Sequence, residues 1–200
     1  MMAMPVAVHA QDDHSQHAMP AMEDGGAAMA YMDGMARMSR DMNAPMTGDA
    51  DIDFATMMIP HHQGAIDMAK VQLQYGKDPD IRKLSEAIVV AQEGEIAFLK
   101  GWLDKHGKPA ESSEHAGHMP AGMAFMEGME KMNEDMNAAM TGDPDRDFVT
   151  MMIPHHQGAI DMAKVQLEYG KDGELHKLSG DIVKAQESEI AMMKDWLARH

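Results

Sequence analysis

The chain has no cysteine, so no disulfide can brace the fold and no thiol is available as nucleophile or metal ligand. Aromatic residues make up only 4% of the chain. The apolar content therefore comes from Ala, Met, Ile and Leu, a mixture that favours helices over strands. Basic residues are also scarce, 17 Lys and Arg against 33 Asp and Glu, for a formal charge of −16. Such a balance repels phosphate backbones and anionic headgroups while concentrating cations, which argues against nucleic acid or a membrane surface as partner. No apolar run approaches the roughly 20 residues needed to span a bilayer. A glycine-rich phosphate loop, a His-Glu-x-x-His zinc peptidase motif and the Glu-x-x-His pairs of a di-iron oxidase are all missing.

Methionine, by contrast, reaches 26 of 200 residues, several times its ordinary share. Thioether sulfur is a soft donor suited to Cu(I), and unlike a thiolate it requires no deprotonation and cannot be consumed by disulfide formation. A protein handling copper in an oxidising compartment would use methionine for this reason. The stretch Val6-Ala7-Val8-His9-Ala10 before Gln11-Asp12-Asp13 resembles the end of a secretory signal, so a periplasmic or secreted location is expected.

Comparing the chain with itself gives its organisation. The block from Met57 to Leu73 recurs unchanged from Met151 to Leu167, 94 positions on. The same offset relates Met29, Met32, Met35, Met38, Met42 and Met46 to Met123, Met126, Met129, Met132, Met136 and Met140, and Trp102 to Trp196. We read residues 1–26 as a disordered segment with a His/Met arm, 27–106 as a first helical repeat, 107–121 as a linker with a similar arm, and 122–200 as a second repeat.

Each repeat carries signals for three helices. The first runs over about 27–43, with Pro45 just beyond it. The second is capped by Asp49, or by Asp143 before Pro144 in the other copy, and stops near Tyr75 with Gly76 beyond. The third starts at Asp78-Pro79 and ends before Gly107. Three amphipathic helices make a thin core, so the expected fold is all-α: tandem three-helix repeats packing into ferritin-like four-helix-bundle layers, against each other or in a homo-oligomer. Trp102 and Trp196 read as core or interface anchors, and Glu93, Glu95, Glu187 and Glu189 as a solvated face.

Two constellations carry the metal chemistry. At 100° per residue, Met32, Met35, Met38 and Met42 form a thioether ridge on the first helix, as do Met126, Met129, Met132 and Met136 in the second repeat. On the second helix Met57 lies one turn before His61, Met58 one turn before His62, and Met68 follows on the His61 side; Met151, Met152, His155, His156 and Met162 repeat the pattern. Pro60 frees the carbonyl of Thr56 and is a candidate kink beside the histidines. Adjacent histidines diverge by about 100°, so the two members of a pair should face different neighbours. His14, His17, His115 and His118 are candidate capture arms. Packing alone would be served better by Leu or Ile, which specify a core more sharply than Met. The reading is a binding protein, not an enzyme, that sequesters or shuttles Cu(I), with Cu(II) and Ag(I) as further ligands and a copper efflux or chaperone protein as a delivery partner. A cuprous oxidase and a methionine-rich structural bundle are the alternatives.

The block Asp53-Phe54 with Met57 to Ala69, and its copy from Asp147 to Ala163, resembles the signature of the DUF305 family, a bacterial family of ferritin-like helical bundles. The resemblance covers both repeats. It implies a periplasmic or secreted copper-binding role in metal tolerance, extending to Ag(I). Carried over by position, it implies Met58, His61, His62 and Met68, and Met152, His155, His156 and Met162, as ligands.

Overall fold

The computed structural model describes residues 23–107, 116–137 and 139–200. Among the described residues it is an all-α bundle of six α-helices: α1 (Glu23–Asp41), α2 (Ala50–Tyr75), α3 (Pro79–His106), α4 (Pro120–Asp135), α5 (Pro144–Tyr169) and α6 (Gly173–Arg199), with a short 3-10 turn at Ala116–His118. Aspartates start four of them. Asp49 accepts hydrogen bonds from the amides of Asp51 and Ile52 at 3.0 and 3.3 Å, and Asp78, Asp143 and Asp172 cap α3, α5 and α6 in the same way. Both α2 and α5 run unbroken through Pro60 and Pro154.

The centre of the molecule is the pair α2 and α5. Their antiparallel course follows from the reciprocal contacts at their ends, where Gln72 meets Asp145 and Gln166 meets Asp51. Helix α3 packs on α2, α6 on α5, α1 on α2 and α4 on α5. A single apolar core runs through both repeats, with Phe54, Met57 and Met58 and their counterparts Phe148, Met151 and Met152 all buried.

Two buried carboxylates fasten the repeats together. Asp145 accepts from Gln72 Nε2 at 2.7 Å and from the amides of Lys77 and Asp78 at 2.8 and 3.0 Å. Asp51 accepts from Gln166 Nε2 at 2.9 Å and from the amides of Lys171 and Asp172 at 2.8 and 3.1 Å. Each aspartate thus satisfies the turn of the opposite repeat's hairpin. A side chain at residue 76 has no room there, because its Cβ would fall 2.4 Å from Asp145 Oδ1.

The outer helices sit differently from expectation. Helix α1 begins at Glu23, so residues 23–26 are helical, not part of a disordered arm. Its buried face is Ala27, Tyr31, Gly34, Met38 and Met42, while Met32 is 56% exposed and Met35 half-buried. The thioether ridge is therefore split, with one end in the core and the other at the surface. The same holds for α4, where Met132 and Met136 are buried and Met126 is exposed. The C-terminal part of the expected linker is packed as well, with Ala116 and Ala121 buried; residues 108–115 lie outside the described residues.

Helix α1 docks where Met38 lies on Gly64. A Cβ at that position would fall 2.4 Å from Met38 Sδ and 2.9 Å from its Cγ. Gly64→Ala is expected to lower stability by about 1–3 kcal/mol through overpacking, read as a lower midpoint in denaturant. An unchanged midpoint would show that α1 is not held at this contact.

Candidate metal centre

Where α2 and α5 cross, all four histidines are completely buried. Their positions follow from helix geometry: adjacent residues diverge by about 100°, so His61 faces the other repeat while His62 faces α3, and the two rings lie 6.2 Å apart. The His61 and His155 rings lie against each other with centroids 3.8 Å apart and planes tilted by 40°. His155 Nε2 is 3.1 Å from the carbonyl oxygen of His61 and donates to it. That bond places the proton on Nε2 and leaves Nδ1 bare.

Each imidazole of the outer pair lies against a carboxylate. His156 Nε2 is hydrogen-bonded to Glu189 Oε2 at 2.6 Å, and His62 Nε2 lies 2.7 Å from Glu95 Oε2. This corrects the reading of Glu95 and Glu189 as part of a solvated face. Only Glu93 and Glu187 are exposed, while Glu95 and Glu189 are half-buried against the imidazoles. The α2–α3 turn lies at residues 76–78, so an antiparallel hairpin brings α3 residues near 93–95 opposite His62. Counting outward from that turn would have found the pair.

None of the four Nδ1 atoms has a hydrogen-bond partner among the described residues. Burial, and then the neighbouring imidazoles, hold His61 and His155 well below the ordinary histidine range. Both rings are therefore neutral at pH 7, the form in which imidazole binds metal. The sulfur-bearing residues predicted with them are also internal. Met57, Met58, Met68, Met151, Met152 and Met162 are each no more than 2% exposed, and each Met57/His61 or Met58/His62 pair shares one side of its helix at one-turn spacing. Among the described residues, no three His, Asp or Glu side chains converge into a metal cage of their own.

The remaining candidates lie elsewhere. Met38, Met42, Met132 and Met136 are buried where α1 and α4 meet the core. Met32, Met35, Met126 and Met129 lie at or near the surface. His118 is exposed at the end of its 3-10 turn, and His14, His17 and His115 fall outside the described residues. Trp102 and Trp196 are buried anchors stacked on His106 and His200 at 4.4 Å, not on the central imidazoles.

The chain is similar to several solved structures. CopM in its Cu(I)-bound form is 34% identical with a TM-score of 0.55, covering 74% of this chain and 96% of that one. CopM in an Ag-bound form is 33% identical with a TM-score of 0.56, covering 74% and 95%. A proposed secreted DUF305 protein of Streptomyces coelicolor is 31% identical with a TM-score of 0.62, covering 76% and 94%. Among curated proteins, an uncharacterized protein, L153, of Acanthamoeba polyphaga mimivirus is 38% identical over 55 residues, which are 28% of this chain and 36% of that protein. The chain thus spans only about a third of that curated relative's length. The model of the domain of unknown function DUF305 matches residues 2–100 and 51–197, and the chain is a member of that family.

Proposed function

We propose that this protein captures Cu(I), with Ag(I) as an equivalent soft ligand, at the buried Met/His centre, and sequesters or shuttles it in the periplasm or outside the cell. One observation carries the reading. Imidazoles that bind a metal through one nitrogen usually fix the other with a carboxylate or carbonyl, and here Glu189 holds His156, the His61 carbonyl holds His155 and Glu95 lies 2.7 Å from His62 Nε2, while Nδ1 is left bare in each. The shortage of oxygen and nitrogen donors for a complete cage leaves thioether sulfur to fill the coordination sphere, which selects a soft ion. CopM, solved with Cu(I), Cu(II) and Ag, adds support. Met58, His62, His61 and Met68, with Met152, His156, His155 and Met162, are the ligands we assign. The absence of cysteine and the small residues before Gln11 favour an oxidising compartment.

The test is a titration of Cu(I) against a chromophoric chelator. Wild-type protein should compete, and Glu95→Gln with Glu189→Gln should weaken binding about 10–100-fold, the usual cost of losing an outer carboxylate. Because burial lowers the proton affinity of His61 and His155, protons compete poorly for those two ligands, and binding should weaken less between pH 7 and pH 6 than at a solvent-exposed imidazole site. Failure of wild-type protein to compete would leave a methionine-rich structural bundle as the reading. Oxygen consumption with excess Cu(I) would point instead to an oxidase.

A further inference from the structure

We propose a second soft-cation site, made of thioether sulfur alone and shared by the two repeats, in the groove between α1 and α4. The inference rests on the copper reading above but uses none of its histidines. The groove is shallow and open to solvent, with a volume of about 590 Å³, and is lined by Met35 from α1 and by Met126 and Met129 from α4, with Glu130 and Glu134 among its other lining residues. An adjoining volume of about 320 Å³ uses Met126 and Met129 again and adds Met42 and Met46 from the α1–α2 connection. Five thioethers from both halves of the molecule thus line two neighbouring depressions that share Met126 and Met129.

Met35, Met46 and Met129 also pack against the core with their inner surface, so packing explains part of this arrangement and Met126 is the residue it explains least. Met126 is 43% exposed, and a charged or polar residue would serve a position this open to solvent as well as a thioether does. Met35 and Met129 hold equivalent positions in the two repeats, and the bundle brings both to one groove. On α4, Met126 and Met129 are three residues apart and share one side of the helix. Cu(I) and Ag(I) accept two or three thioethers without a charged ligand, while Glu130 and Glu134 supply negative potential that draws a cation in. Arg40 lines a neighbouring lobe with Met42 and Met129, and the two carboxylates outweigh it. No histidine lines any of these spaces. The site therefore has no ligand that titrates between pH 5 and 8, and its chemistry differs from that of the buried centre.

The experiment uses the full chain labelled with [ε-13C]methionine and titrated with Ag(I), the ε-methyl resonances being assigned by single Met→Leu substitutions. The resonances of Met35, Met126 and Met129 should shift together, and equally at pH 7.5 and pH 5.5. The combination Met35→Leu, Met126→Leu, Met129→Leu keeps side-chain volume and should bind at least one fewer Ag(I) per chain. If Ag(I) shifts the methyls of Met58 and Met152 but leaves these three in place, the groove site is refuted while the buried centre stands. An undiminished stoichiometry in the triple variant refutes it equally. If no methyl responds, the copper reading itself fails.

Discussion

Asp145→Ala should cost about 3–5 kcal/mol of stability, and Asp51→Ala a similar amount, when the metal-free protein is unfolded in denaturant. Each substitution removes a buried carboxylate that receives three N–H groups, and alanine leaves those donors enclosed without an acceptor. A loss of that size is a large share of the roughly 5–15 kcal/mol that holds a domain folded. Asp145→Asn keeps the shape but turns one acceptor toward the donors as an NH2 group, so it should recover only part of the loss. A change below about 1 kcal/mol in the alanine variants would mean that water satisfies the abandoned amides and that the repeats do not depend on these contacts.

The second large effect is acid sensitivity of the metal-free protein. His61 and His155 are held neutral in the folded state, chiefly by burial, while in the unfolded chain each protonates with an ordinary pKa near 6.5. Below that value the unfolded state binds more protons, so stability is complete above about pH 6.5 and falls with pH until the folded-state pKa is reached. The slope should approach about 1.4 kcal/mol per pH unit for each imidazole, or about 2.7 for the two together. Denaturant midpoints between pH 7.5 and 5.0 measure it in a window where most carboxylates remain ionised. His61→Gln with His155→Gln should flatten the profile. A wild-type profile already flat over that range would show that the two rings accept protons inside the fold. Saturating Ag(I) should oppose the acid loss, since a ligand bound only by the folded state adds stability by mass action.

Local signals carried well from sequence to structure. Asp49, Gly76, Asp78 and Gly107 bound α2 and α3 because caps act on the backbone next to them. The grouping of His61 and His62 with Met57 and Met58 stood out because the pattern occurs twice, whereas their complete or near-complete burial appears only in the structure. What the sequence concealed depends on partners far along the chain. Asp51 and Asp145 read as first-turn acidic residues complementing a helix dipole, and nothing local reveals that each serves a turn more than 60 residues away. Glu95 and Glu189 look like any exposed carboxylate until hairpin register places them beside an imidazole. On α1, methionines three residues apart drift by about 60° at each step, so they wind around the helix. Periodicity alone could not say that Met38 would be buried and Met32 left outside.

The reciprocal contacts of Asp51 and Asp145, with His61 against His155 between them, are those of a twofold dimer whose subunits have been joined end to end. A true dimer of one three-helix unit would dissociate on dilution; here both partners travel in one chain, so the shared centre persists at any concentration. Fusion also releases the halves from identity. Tyr31 donates to the carbonyl of Pro144 at 3.1 Å, whereas the matching residue in the second half is Phe125, which has no hydroxyl to return the bond. The two halves are already free to acquire different tasks around a common interior.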